Sequence, residues 1–402
     1  MKPITGLIHH DYRPPAGFEA VPPAVHKAST VIFPDVQALR SRDWRDKGGY
    51  TYGLHGTPTT FTLEARIATL EGGRHTILTP SGLSALSLVN LALLRPGHTV
   101  LLPDNVYGPS KELARGLLQE MGIHHRLYDP MDLTEVDALL KQGAELLWLE
   151  APGSVSMEFP DLRALVRLGR QHGVCLALDN TWGAGLAFCP FRLGEGQGAD
   201  LGEDLGVDIS IHALTKFPSG GGDVLMGSVT TVDQGLHERL LLTHMRLGLG
   251  VGANDAEAVL RGLPSMALRY DAQDASARAL AACLAQHPAV TRVLHPALPQ
   301  SPGHAHWAAI CTRAAGLFSF LIDERYTPAD VDRFIDELRL FKLGYSWAGP
   351  VSLVVPYRME TMRRETSALR GHLVRLSIGL EARDDLQADL MQALALLDRA
   401  PT

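Results

Sequence analysis

The sequence is poor in the residues that several protein classes require. Its 402 residues hold four cysteines, Cys175, Cys189, Cys283 and Cys311, with no CxxC pair among them. This spacing suggests neither a disulfide framework nor a zinc knuckle. Positive charge is also short: Lys and Arg total 37 against 44 Asp and Glu, a formal net charge of -7. A non-specific nucleic-acid or anionic-membrane binder needs a basic field, so both readings are disfavoured. The longest apolar stretch, residues 83–94, is broken by Ser84, Ser87 and Asn90 and is too short to span a bilayer. No apolar run follows Lys2, so no signal peptide is expected and a reducing cytoplasm is the expected location. Seventeen histidines show no HExxH or similar spacing, and no metal site is expected.

What remains is an ordinary globular composition, 46% hydrophobic and 20% charged. At about 150 residues per domain the length suits two or three domains. Residues 1–56 are Pro-rich with little periodicity and read as an extended N-terminal arm. From Thr57 helical spacing begins, with Pro58 at a position where its missing N–H costs nothing, and Gly72-Gly73 ends it. Short apolar runs then alternate with amphipathic stretches, the pattern of a mostly parallel sheet covered on both faces. The runs are 99–102, 146–149, 175–178, 208–213 and 224–231, with helices expected over 110–121 and 161–172. This predicts an α/β doubly wound domain over 57–252. Beyond it, helices at 253–266, 272–286, 327–340 and 384–399 and strands at 317–322 and 373–378 predict a C-terminal α+β domain, 253–402. The Gly- and acid-rich stretch 193–204 reads as a surface loop, since anions avoid acidic loops.

In open α/β sheets ligands sit beyond the carboxyl ends of the strands. Two polar strand ends qualify, Asp179-Asn180-Thr181-Trp182 after CLAL and Thr215-Lys216 after ISIHAL. Burial depresses a lysine pKa and readies the amine for Schiff-base chemistry. A nearby aspartate is what a pyridinium nitrogen needs as a partner. Taken alone, each residue equally suits a salt bridge or a cap.

The flanking strings DNTWGAG and ALTKFPSGGGD resemble the Cys/Met-metabolism family of pyridoxal-phosphate enzymes, of fold type I. The resemblance runs in order from YGLHGTPT at Tyr52 to RLSIGLE at Arg375. It implies pyridoxal 5'-phosphate as cofactor, Lys216 as its Schiff-base lysine and Asp179 as the partner of its ring nitrogen, with Thr181 positioning the ring. The phosphate would meet Thr215 and the backbone N–H groups of Gly82 and Leu83, and a helix N-terminus suits an anion on its own physics. Tyr107 matches the tyrosine that stacks on the ring. Tyr52 matches one that reaches the partner subunit's cofactor, which implies a homo-oligomer, a dimer at least and a tetramer of two dimers by resemblance. Tyr107 or Tyr52 would accept the proton of the incoming substrate ammonium. Arg375 would hold the substrate carboxylate, for which the planar guanidinium fork is suited.

One scaffold serves γ-synthases, γ-lyases and β-lyases in this family, so the reaction is not settled by fold. DNTW with Trp182, EAPGSVSME, HPALPQSPGHAHW and YSWAG resemble the β-lyase branch, where Trp347 would lie by an amino-acid thioether substrate and Ser346 would present backbone to its carboxylate. A broader β-lyase or a γ-lyase is the alternative within the class, and a noncatalytic cofactor-binding protein the alternative outside it. Three positions depart from the family pattern: Leu54 stands where a phosphate-binding arginine is expected, Ser154 where an asparagine is, and Ala213 where a serine is.

Overall fold

The computed structural model describes residues 2–8, 16–17, 20–193, 205–358, 363 and 369–397. Two sheets organise them. The first contains β1 (His75–Thr79), β2 (Thr99–Pro103), β3 (His124–Tyr128), β4 (Leu146–Glu150), β5 (Cys175–Asp179), β6 (Ile209–His212) and β7 (Gly227–Thr231), in the order β1-β7-β6-β5-β4-β2-β3. The five strands from β3 to β6 are parallel neighbours. Only β7 runs against both of its neighbours.

The continuous apolar runs follow from burial on both faces. Leu147, Leu149, Leu176 and Leu178 point into one core, whereas Leu146, Trp148, Ala177, Ile209 and Ile211 point into another. This is the period-two alternation of a strand. The expected β2, β4, β5, β6 and β7 are present, with β7 starting three residues later than its run. β1 and β3 were not expected; β3 reads HHRLY and lies at the sheet edge, where its polar residues stay partly exposed.

The helix Pro58–Glu71 starts where the sequence predicts it, with Thr57 and Thr60 forming a reciprocal cap. It ends at Gly72, whose left-handed φ of 73° suits glycine. The stretch expected as a helix at 110–121 is Gly108–Leu113 continued by a π turn, Ala114–Leu118.

The second sheet contains β8 (Val290–Leu294), β9 (Leu317–Ile322), β10 (Lys342–Leu343), β11 (Leu353–Tyr357) and β12 (His372–Ser377), in the order β10-β11-β12-β9-β8. The two helices expected at 253–266 and 272–286 are one helix of 32 residues, Ala253–Leu284. The break was read into residues 267–271, yet Ala267 and Tyr270 are buried there, and Tyr270 donates its hydroxyl to Trp182 O at 3.1 Å. Tertiary packing carries the helix through. Its Leu260, Leu263 and Met266 belong to the core of the first sheet and its Leu280, Ala281 and Leu284 to that of the second.

At the other end of the chain, the helix Pro3–Ile8 buries Leu7 against its own chain. Residues 20–56 are largely irregular and expose Val21, Ile32 and Val36. The acidic stretch expected as a loop lies, from residue 194 to 204, outside the described residues.

Candidate active site

The carboxyl edge of the first sheet gathers most of the residues singled out from the sequence. Asp179 closes β5, and its Oδ1 accepts the Thr181 backbone N–H at 3.0 Å. Burial raises the Asp179 pKa, while Thr181 hydrogen bonds and the His212 ring oppose the rise and Glu71 adds to it. Thr181 Oγ1 in turn accepts the N–H of Ala213 at 3.0 Å, which ties the end of β5 to the end of β6.

Lys216 lies four residues beyond β6, in a turn closed by its own N–H to Ala213 O at 3.0 Å. Its Nζ donates to Ser346 Oγ at 2.5 Å and stands 5.4 Å from the centre of the Trp347 ring. Burial and the Arg375 charge pull the amine pKa down to about 8, against the opposing charge of Asp179. Such an amine is far more often neutral, and so nucleophilic, than an exposed lysine.

The second sheet delivers the other half of the site. Ser346 and Ala348 have φ of 80° and 66°, left-handed conformations that cost a non-glycine residue free energy. The strained bend aims two groups of one residue in different directions. The Ser346 hydroxyl takes the Lys216 amine, and its carbonyl takes Arg375 Nη2 at 3.1 Å. Arg375, on β12, is buried and lies 5.4 Å from the Tyr357 ring centre. Its Nε has no hydrogen-bond partner among the described residues. Trp347 packs edge-on against Phe217, with centroids 5.7 Å apart.

A helix N-terminus adjoins these groups. Ser81 caps the helix Gly82–Leu93 through the Ser84 N–H, and a Cβ at Gly82 would meet Ala213 Cβ at 2.8 Å. The first backbone N–H groups of such a helix, including those of Gly82 and Leu83, lack intrahelical partners. The Thr215 hydroxyl, expected to donate to a phosphate, is paired here with Met226, donating to its O at 3.2 Å and accepting from its N at 3.1 Å.

Tyr107 follows β2, 42% exposed as a residue, with its backbone N–H on Glu150 Oε2 at 2.9 Å. Burial, Asp179 and Glu150 raise its phenol pKa. Tyr52 is placed apart, by Ser29 and edge-on to His55, outside the Lys216–Ser346–Arg375 set.

Two buried carboxylates at this edge were not singled out from the sequence. Glu71 accepts from Asn180 Nδ2 at 2.9 Å, Ser210 Oγ at 2.7 Å and His212 Nδ1 at 2.9 Å. Glu150, the last residue of β4, is the register partner of Asp179. The signal for Glu150 was present: it ends an apolar run as Asp179 does.

A buried amine of lowered pKa, an aspartate within its field and a glycine held against Ala213 at a helix N-terminus suit a molecule with an aldehyde, a basic ring nitrogen and a phosphate. On a mostly parallel α/β sheet of this order, they define a pyridoxal-phosphate-dependent enzyme of fold type I. The chain belongs to the Cys/Met metabolism PLP-dependent enzyme family, whose model matches residues 4–395, and it is a lyase of that family. It is 36% identical over 408 residues to the cystathionine beta-lyase of Bordetella avium, covering 99% of this chain and 98% of the relative. It is 33% identical over 379 residues to the cystathionine beta-lyase MetC of Escherichia coli, covering 92% of each. Among solved structures, cystathionine gamma synthase from Xanthomonas oryzae pv. oryzae, in complex with aminoacrylate and cysteine, matches with a TM-score of 0.89 at 28% identity, covering 99% of both chains. No helix among the described residues is long and apolar enough to cross a membrane.

Proposed function

We propose that the protein is a cystathionine β-lyase, cleaving the Cβ–S bond of L-cystathionine, with uptake of one water, to homocysteine, pyruvate and ammonia. The observation that carries this reading is the double use of Ser346, which joins an amine of pKa about 8 at Lys216 to the Arg375 guanidinium. A proton acceptor and a carboxylate clamp thus meet at one residue, as removal of a proton α to a carboxylate requires. The YSWAG string around Ser346 and the names of the relatives favour the β-lyase branch.

Pyridoxal phosphate, when bound, supplies an aldehyde carbon that condenses with amines and a ring that withdraws electrons from the substrate Cα. Lys216 would carry it, Asp179 would keep the proton on its ring nitrogen, Thr181 and Tyr107 would hold the ring, and Gly82, Leu83, Thr215 and the partner's Tyr52 would meet its phosphate. Arg375 binds the substrate carboxylate through paired hydrogen bonds, with Ser346 and Trp347 bounding the same side. Tyr107, in its phenolate form, or the partner's Tyr52 would take the proton of the substrate ammonium. The freed Lys216 amine removes the Cα proton and returns a proton to the departing sulfur. The negative charge of Asp179, fixed in advance, favours the charge distribution of the transition state.

Tyr52 lies away from the Lys216 set of its own chain, and the flanking segment exposes Val21 and Ile32. Both support a homo-oligomer in which the 1–56 arm completes a neighbour's site, in line with a 57–252 cofactor domain and a 253–402 C-terminal domain. A cytoplasmic location suits the unpaired cysteines.

The decisive experiment mixes purified protein with cystathionine and identifies the keto acid. Pyruvate is expected. 2-Ketobutyrate instead makes the protein a γ-lyase, and a panel of cysteine S-conjugates separates a narrow from a broad β-lyase. Borohydride reduction followed by peptide mapping should place the cofactor on Lys216; a tag elsewhere removes the assignment.

A further inference from the structure

Glu150 is 8% exposed, and its register pairing with Asp179 places both side chains on one face at adjacent strand ends. Its Oε2 accepts the Tyr107 N–H at 2.9 Å, and the Ser154 backbone and hydroxyl also reach it. These partners are uncharged donors that favour the ionised form, and burial together with the Asp179 charge outweighs them. Tyr128 and Lys111 face it from β3, two strands away, and from the helix Gly108–Leu113, and Lys111 Nζ donates to Asp104 O at 2.9 Å. Asp179 is placed differently. It has the Thr181 N–H, the His212 ring and the Lys216 amine around it, with Glu71 behind His212.

A buried and a half-buried carboxyl paired in register do not both ionise at low cost, so the pair retains a proton, and the better-solvated member keeps the charge. We propose that Glu150 is a positioning residue that works as a neutral carboxyl: it keeps the proton of the pair, holds the Tyr107 loop by its backbone, and leaves the negative charge on Asp179. The inference rests on the roles proposed above for Asp179 and Tyr107. Burial and the Asp179 charge push the Glu150 pKa up to about 8, in agreement with it.

The test uses holoenzyme. Difference infrared spectra should show a protonated-carboxyl C=O band that persists above the ordinary glutamate range and disappears as the pH is raised further. The band should be absent in Glu150→Gln, and in Asp179→Asn its midpoint should fall, because the neighbouring charge no longer opposes ionisation. The visible circular dichroism of the bound cofactor should survive in Glu150→Gln, the neutral isostere, and collapse in Glu150→Ala, which releases the Tyr107 N–H. A band that persists in Glu150→Gln overturns the proposal. So does a Gln variant that loses the dichroism, or one that fails to fold while Glu150→Asp folds. If borohydride finds no cofactor on Lys216, the functional reading fails separately, and the infrared band still reports on Glu150.

Discussion

Lys216 Nζ and Ser346 Oγ are joined at 2.5 Å, although one follows β6 of the first sheet and the other precedes β11 of the second. The contact spans 130 residues of sequence and brings the proposed base to the proposed carboxylate clamp. Ser346→Ala should retain cofactor on Lys216, visible as a reducible chromophore, yet lower kcat by about tenfold, the scale of one hydrogen bond to a charged group. An unchanged kcat would show that the serine does not direct the amine.

The Lys216 amine should take up pyridoxal phosphate with a pH profile displaced from that of free lysine. Below a pH of about 8 it is an ammonium and does not attack an aldehyde; above it, the neutral amine does. The rate of chromophore formation in apoprotein should therefore rise through a midpoint near 8. Arg375 contributes to the lowering, so Arg375→Gln should move the midpoint upward. A wild-type midpoint at the ordinary lysine value would refute the burial argument.

Gly82 tolerates no side chain, since a Cβ there meets Ala213 Cβ at 2.8 Å. Gly82→Ala should weaken cofactor binding about tenfold by shifting the helix N-terminus from the phosphate, measured by equilibrium titration of apoprotein. Adding Ala213→Gly should recover much of the loss. Failure of the pair to recover would mean that the clash is not the cause.

Arg375→Ala should raise KM for the amino-acid substrate, and Arg375→Lys should restore little, because an ammonium cannot reproduce the paired hydrogen bonds of the guanidinium. A fall in kcat alongside the rise in KM would show that the clamp also orients the Cα–H bond. Equal kcat/KM in wild type and Arg375→Ala would remove the residue from the substrate site.

The strands that carry the site were legible because β2, β4, β5 and β6 are buried on both faces and leave unbroken apolar runs. Asp179 and Lys216 were legible as costly groups at the ends of such runs. The edge strand β3 was hidden by its own polarity, and the long helix was hidden because Ala267 and Tyr270 pack into the core where periodicity weakens. Glu150 ends its run as visibly as Asp179, but its importance depends on register, which periodicity does not give. The hydroxyl of Thr215 illustrates the same limit: its residue type suits a phosphate, whereas its pairing with Met226 depends on how two loops meet. What replaces an arginine at Leu54 is not explained by the contacts of that residue, which lies beside Gly250.

The helix Ala253–Leu284 is anchored in both cores, so it acts as a rigid strut between the halves of the active site. The spacing of Asp179, Lys216 and Arg375 is thereby fixed by the backbone before any substrate arrives. A cavity cut at Leu263 should therefore disturb turnover as well as melting, and change in substrate preference should come by swapping side chains around a frame of constant dimensions.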